Sequence, residues 1–328
     1  MREFPILYLV VPCYNEQETL PSSAEKLKNK LAELCESKEI SANSRIMFVN
    51  DGSQDNTWPI IEQLCHENTV FSGINFSKNF GHQSAILAGM MTAKDQADIV
   101  VTIDADLQQD IEALNSFIKK YKDGCEIVYG VRNNRETDGA FKKKTALLYY
   151  WILKKLGCNI IKNHADYRLM SKRALETLSS YKEVNLFLRG LIPQMGYRSD
   201  VVYFDVKERE FGSSKYTLKK MLTLASDGIT SLSIQPIRMI TALGLVVSLL
   251  SFAMMIWSFV DYFVSGAVPG YTTTIIVSLA MGGLTIFSLG IVGEYIGKIY
   301  LETKGRPRYI IESVIWNPDE NNNKNTSV

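Results

Sequence analysis

Short aliphatic runs alternate with stretches of helical spacing along the first part of the chain. Residues 6–11 are β-branched and aliphatic, end at Pro12 and predict a buried strand; apolar positions at helical spacing follow over 18–35. The unit repeats, with 45–50 predicting a strand, 51–57 a polar loop and 58–66 a helix. A third strand is expected near 70–76, a helix over 81–92, and further strands over 99–103 and 126–130. Asp110 reads as the cap of a helix over 111–118. Strands alternating with helices in this way predict an α/β fold, a parallel-rich sheet with helices on both faces.

Past residue 216 the pattern changes. Leu218, Met221, Leu222, Ala225, Ile229 and Leu232 share one helical face, with Lys219, Lys220, Thr223, Ser226 and Asp227 opposite, an amphipathic stripe suited to a membrane interface. Residues 239–260 then run without a charge, about 33 Å as a helix against a bilayer core of roughly 30 Å, and 271–293 is a second such run. The link between them has no Lys or Arg, whereas Lys219, Lys220 and Arg238 precede the first run and Lys298, Lys304, Arg306 and Arg308 follow the second. Both outer ends are therefore expected in the cytosol, on a multi-pass protein of the cell membrane. The predicted organisation is a cytosolic domain over 1–212, amphipathic juxtamembrane helices over 213–236, a transmembrane hairpin over 237–298 and a cytosolic tail over 299–328. The polar end of that tail, after Trp316, is expected to be disordered.

Composition sharpens this picture in three respects. A formal net charge of +1 argues against a nucleic-acid partner held by bulk electrostatics, and leaves the clusters Lys142-Lys143-Lys144 and Lys154-Lys155 as solvated or headgroup-facing. The cysteines (Cys13, Cys35, Cys65, Cys125, Cys158) are odd in number and show no Cys-x-x-Cys spacing, as expected for reduced thiols in the cytosol. The apolar run at the N-terminus is too short for a signal peptide and passes straight into polar residues.

Candidate chemistry gathers in the loops that follow the strands. Tyr14, Asn15 and Glu16 follow the first, Asp51 and Gly52 the second, and Asp104 with Asp106 a later one, so all converge on the sheet edge where α/β proteins open their ligand crevice. Asp104-x-Asp106 supplies hard oxygen donors that suit a divalent metal bridging to a diphosphate; the same spacing also suits a plain turn. Neither a P-loop nor a dinucleotide fingerprint occurs, so phosphates at this edge call for a metal. Further on, Arg132 opens a basic stretch of the kind that holds an acceptor, and Asp166 reads either as a catalytic group or as a local salt-bridge partner of Arg168 or Arg173. His66, His82 and His164 lack metal-ligand spacing.

Taken as an ordered set, Val11-Pro12-Cys13-Tyr14-Asn15-Glu16, Val49-Asn50-Asp51-Gly52-Ser53, Asn79-Phe80-Gly81, Asp104-Ala105-Asp106-Leu107-Gln108 and Ala165-Asp166-Tyr167-Arg168-Leu169-Met170 resemble family 2 glycosyltransferases of the polyprenyl-phosphate type. These include bactoprenol glucosyltransferases and, more distantly, dolichyl-phosphate mannose synthases. The resemblance runs from about residue 5 to 310 and includes Arg209-Glu210-Phe211-Gly212-Ser213-Ser214-Lys215-Tyr216. It implies a GT-A-like nucleotide-sugar domain, a UDP-sugar donor, a polyprenyl phosphate acceptor and Mg²⁺ or Mn²⁺. By the same resemblance Pro12, Tyr14, Glu16 and Asp51 cradle the uridine and ribose, and Asp104, Asp106 and Gln108 hold the metal; Asn15, Asn79 and Asp104 are expected to complete the nucleotide-sugar site. Asp166 matches the catalytic aspartate, expected to act with Asp104 and Asp106, and Arg209, Ser214 and Lys215 match a loop that meets the lipid phosphate, which Arg132 of the basic stretch is expected to join. Ala165 and Tyr167 stand where Gly and Phe are usual, and His82 where relatives often carry Lys.

The expected activity is inverting transfer of a hexose, glucose first and N-acetylglucosamine second, from a UDP-sugar to undecaprenyl phosphate for cell-envelope glycan modification. A processive polysaccharide synthase is disfavoured because none of Trp58, Trp151, Trp257 and Trp316 sits in a Gln-x-x-Arg-Trp motif. A nucleotide-sugar sensor without turnover is the alternative from another class. The small residues Gly282, Gly283, Gly290, Gly293 and Gly297 could pack spans within one hairpin or between subunits of a homo-oligomer.

Overall fold

The computed structural model describes residues 3–133, 161, 163–184, 187–206, 235–265 and 270–316. The first strands fall where the aliphatic runs predict them: β1 (Leu7–Cys13), β2 (Arg45–Asn50), β3 (Phe71–Phe76) and β4 (Ile99–Thr102), pairing in parallel in the order β4-β1-β2-β3. Their connections are α1 (Leu20–Glu36), α2 (Thr57–Glu67) and α3 (His82–Ala93), and α4 (Ala113–Lys122) leads on to β5 (Ile127–Arg132). Every residue of β1 is buried because the strand is covered on both faces. Leu7, Leu9 and Val11 face the layer of α1, α2 and α4, while Tyr8 and Val10 face α3. A Cβ on Gly89 of α3 would lie 2.3 Å from Val10 Cγ1, so this glycine lets the helix sit directly on β1 and fixes where its N-terminus points.

Helix α4 begins later than the sequence indicates. Its N-cap position is Glu112, without a side-chain cap, and Asp110 instead opens the preceding turn, its carbonyl accepting from Ala113 N–H at 3.2 Å.

The far side of the sheet departs from a simple parallel arrangement. Strand β6 (His164–Ser171) enters between β4 and β5 and runs antiparallel to both, with β7 (Ser199–Phe204) outside and parallel to β5. Helices α5 (Lys172–Ser180) and α6 (Leu188–Gln194) follow β6; Ser171 caps α5, its Oγ accepting from Ala174 N–H at 3.1 Å. The register Thr102↔Arg168 puts Asp166, two residues back along β6, beside the chain that leaves β4 toward Asp104. Thr102 Oγ1 donates to the Asp166 carbonyl at 2.5 Å and pins that register, which matters because a slip of one residue would turn Asp166 to the opposite face.

Two long helices follow the globular domain, α7 (Gln235–Ser265) and α8 (Tyr271–Thr303). Both contain windows long and apolar enough to cross a membrane, of mean hydropathy 2.0 and 1.3, with no part of either window buried in the protein. Helix α8 continues past the expected end of its apolar run at 293, and its C-terminal turn docks on the globular domain: Glu302 Oε2 accepts from Val184 N–H at 2.8 Å. The segment beyond it, within the stretch expected to be a tail, adds a strand to the sheet. Ile311–Ile315 forms β8, antiparallel to β3 at the edge of the sheet, with Tyr309 stacked on Phe76 and Trp316 on Tyr8. The sheet is thus eight strands in the order β7-β5-β6-β4-β1-β2-β3-β8. The predicted amphipathic helix over 217–233 and the expected disorder after 316 lie outside the described residues.

Candidate active site

The loops that leave β1 and β2 are knitted into one wall. Asn15 adopts a left-handed conformation (φ 54°); its N–H donates to Ser53 Oγ at 3.0 Å, and its side-chain oxygen accepts from Gln54 N–H at 2.9 Å. Glu16 N–H donates to Thr57 Oγ1 at 2.9 Å, at the start of α2. Pro12 is buried inside β1, whereas the Tyr14 ring stands exposed at the rim. Asp51 is 3% exposed, its carboxylate accepting from the N–H groups of Phe80 (2.7 Å) and Gly81 (3.0 Å). Burial pushes this carboxyl up, and the two donors oppose that shift. Asn79 Nδ2 closes the junction on the Asp51 carbonyl at 3.2 Å. Gly52 is required there: its φ is +62°, and a Cβ would lie 2.3 Å from the Lys78 carbonyl carbon. Asp51 and Asn79 therefore hold the loop that delivers α3.

Beyond β4 the residues alternate, with Asp104, Asp106 and Gln108 half-buried toward the crevice and Ala105, Leu107 and Gln109 turned inward. Leu107 takes a left-handed φ of 45°, which folds the segment back so that Gln108 N–H reaches Asp106 Oδ1 at 3.2 Å. Gln109, only 1% exposed, clamps Asp104: its Nε2 donates to Asp104 Oδ2, and its Oε1 accepts from Asp104 N–H at 3.3 Å. The other oxygen, Oδ1, lies 3.5 Å from His82 Nε2 at the first turn of α3. The same nitrogen stands 3.7 Å from Asp166 Oδ2, so one imidazole spans the carboxylates at the ends of β4 and β6.

Asp166 sits in a cluster of cations. Arg168, two residues along the strand and so on the same face, donates through Nη2 to Asp166 Oδ1. Arg189 of α6 forks onto both oxygens, Nη2 to Oδ2 at 2.8 Å and Nε to Oδ1 at 3.2 Å. Burial by itself raises the Asp166 carboxyl, but the guanidiniums of Arg189 and Arg168 overcome it and hold the group well below the usual carboxylate range. Arg168 is fully buried, and its Nε and Nη1 have no partner among the described residues; the same is true of both His164 nitrogens. Burial and the nearby Arg168 charge keep His164 neutral. Arg173, the other partner considered for Asp166, faces Glu126 at 3.7 Å.

Residues 8–179 match the glycosyl transferase family 2 domain, and 235–299 match the GtrB C-terminal hairpin. The chain is 47% identical to the uncharacterized glycosyltransferase YkoT of Bacillus subtilis over 95% of its own length and 93% of that protein's. This chain belongs to glycosyl transferase family 2. The family 2 chain is also 39% identical to the bactoprenol glucosyl transferase of Shigella phage SfX, over 93% of its own length and 98% of that protein's. Among solved structures, glucosyl-3-phosphoglycerate synthase from Mycobacterium tuberculosis, in complex with Mn²⁺, UDP-glucose and phosphoglyceric acid, is similar with a TM-score of 0.44 and 15% identity over 70% of this chain and 78% of that one.

In this family 2 transferase the structure gathers Tyr14, Asn15, Glu16, Asp51, Asn79, Asp104, Asp106, Gln108 and Asp166 at one sheet edge, with Arg132 at the end of β5. Arg209, Ser214 and Lys215 lie outside the described residues. Sequence reasoning missed His82, Gln109 and Arg189 as members of the site. Gln109 carried a usable signal, standing five residues after Asp104 with its side chain turned inward. Arg189 carried none, because it reaches Asp166 from a helix 23 residues away.

Proposed function

We propose that this protein transfers glucose, with inversion, from UDP-glucose to a membrane-embedded polyprenyl phosphate, giving polyprenyl-phosphate-linked glucose for modification of cell-envelope glycans. The observation that carries this reading is the 39% identity to a bactoprenol glucosyl transferase along nearly the whole of both chains, hairpin included. The cytosolic catalytic domain spans 1–212, the juxtamembrane helices 213–236 and the transmembrane hairpin 237–298, with both termini in the cytosol. An acceptor whose hydrocarbon tail stays in the bilayer requires a site held close to the headgroups, and the hairpin serves that end.

On the donor side, the wall built from Pro12, Tyr14, Asn15 and Glu16 receives the uridine, with Asp51 and Asn79 fixing its geometry. Asp104 and Asp106 fit a divalent cation, Mg²⁺ or Mn²⁺: both are half-exposed hard-oxygen donors on the crevice side, and Gln109 leaves Asp104 Oδ1 turned outward. Among the described residues no three His, Cys, Asp or Glu side chains are grouped to hold a metal alone, which suits a cation completed by the Gln108 carbonyl and diphosphate oxygens. When bound, that cation offsets the charge that gathers on the leaving diphosphate.

The acceptor needs little deprotonation, since the second proton of a monoalkyl phosphate leaves at a pKa near 6. Attack by a phosphate oxygen on the anomeric carbon, with UDP leaving from the opposite face, therefore asks for alignment more than for a base. Asp166, ionised and engaged by two guanidiniums, suits that task. Arg132 with Arg209, Ser214 and Lys215 receives the lipid phosphate. The test is to offer detergent-purified protein undecaprenyl phosphate with a panel of UDP-sugars and Mg²⁺ or Mn²⁺, and to weigh the lipid product. Undecaprenyl-phosphate-glucose is the expected product. A product made only from UDP-N-acetylglucosamine moves the donor assignment, and UDP binding without any lipid-linked sugar refutes turnover.

A further inference from the structure

We infer that Arg189 is a binding residue for the acceptor phosphate, and that Asp166 acts mainly as the anchor that aims it. The inference rests on the proposed lipid-phosphate acceptor and adds a further group that meets it, beside the donor carboxylates.

Asp166 is poorly suited to touch the acceptor itself. Three guanidinium N–H groups fall on its two oxygens, from Arg168 Nη2, Arg189 Nε and Arg189 Nη2, and the side chain is 9% exposed. A bare carboxylate beside a dianionic phosphate would repel it. The neighbouring guanidiniums reverse that sign: one carboxylate is paired with two of them, so the trio of Asp166, Arg168 and Arg189 carries a net positive charge and attracts an anion. Of the two cations, Arg168 is fully buried, whereas the Arg189 side chain is 36% exposed at the crevice. Arg189 is therefore the one an incoming phosphate reaches. Its planar fork suits simultaneous pairing with a carboxylate on one edge and a phosphate oxygen on another.

The fold also fixes its position. Leu188, Leu191 and Ile192 of α6 are buried in the core beside Arg189, and Leu188 N–H donates to Gln83 Oε1 at 2.8 Å, the residue next to His82 on α3. His82 Nε2 lies 3.5 Å from Asp104 on the donor side and 3.7 Å from Asp166. Arg189 is thus separated from the donor carboxylates by one carboxylate and one imidazole, the spacing expected of a group that brings the nucleophile up to the anomeric carbon.

The experiment uses the full chain in nanodiscs, with Arg189→Gln and Arg189→Lys. Loss of one charge-assisted contact predicts an acceptor KM raised about ten- to a hundredfold in R189Q, with donor KM unchanged and R189K intermediate. Donor and acceptor KM rising together, or a fall in kcat with both unchanged, overturns the inference. If R189Q shows no cooperative melt, R189K decides by the same split. Direct binding of undecaprenyl phosphate separates this inference from the proposed function: equal binding by wild type and R189Q overturns it whatever the turnover. A wild type that binds the lipid in an Arg189-dependent way but forms no lipid-linked glucose overturns the function alone.

Discussion

Replacing Asp166 by Asn keeps the size of the side chain and removes the negative charge that pairs with both Arg168 and Arg189. It also turns an oxygen that accepts guanidinium N–H groups into a donor, so the Arg189 fork loses half its acceptor. Arg168 is fully buried and has two further nitrogens without partners among the described residues, so it cannot recover its loss from solvent. Removing one partner of a buried ion pair costs about 3–5 kcal/mol. The Arg189 contact, with that side chain 36% exposed, is screened and adds about 0–1 kcal/mol. At about 2–4 °C per kcal/mol for a domain of this size, the expected fall in melting temperature is roughly 6–24 °C, followed by circular dichroism in detergent. Initial rates of glucosyl transfer measured alongside, from pH 6 to 9, are expected to fall by the same factor throughout. A rate that climbs back toward wild type as pH rises would make Asp166 the proton acceptor, and a melting temperature within about 2 °C of wild type would remove the ion-pair argument.

The remaining predictions concern pH, the metal side and the loop junction. Because the folded Asp166 carboxyl lies below its unfolded value of about 3.9, its contribution to stability is complete above about pH 5 and is lost as pH falls through 3.9 toward the folded value. The gap between the melting curves of wild type and Asp166→Asn should accordingly narrow steadily as pH falls below 3.9, and a gap as large at pH 2 as at pH 7 contradicts the shift. Gln109→Leu removes the clamp on Asp104 and is expected to weaken Mn²⁺ binding about 10- to 100-fold by electron paramagnetic resonance titration. In the same titration Gln108→Ala should weaken binding less than Asp106→Ala, and wild-type affinity in Gln108→Ala would take that amide out of the site. Gly52→Ala forces a Cβ into the Lys78 backbone at a φ of +62° and is expected to cost about 1–3 kcal/mol in urea unfolding; no loss would mean that the loop before α3 gives way.

The sequence by itself determined the parallel half of the sheet, from β4 to β3. Strands β1 to β4 lie where aliphatic runs predicted them, and their carboxyl ends carry Tyr14, Asp51, Asp104 and Asp106, because a parallel βα unit is local in sequence and its loop chemistry follows each strand directly. The two apolar runs were equally legible, since crossing a bilayer is a matter of length and composition, though α8 goes on to Thr303 and β8 returns to β3. That return was hidden because a five-residue edge strand has no period of its own to announce its partner.

The tertiary structure decided the other half. Asp166 reads from sequence as catalytic or merely salt-bridged; antiparallel entry of β6 beside β4, held by Thr102, makes it a paired group placed opposite Asp104. The roles of Gln109, His82 and Arg189 depend on which side of a strand each faces and on which helix lies across from it. For His82 and Arg189 those are properties of register and packing over separations of 22 to 105 residues, beyond any window of sequence short enough to show a period.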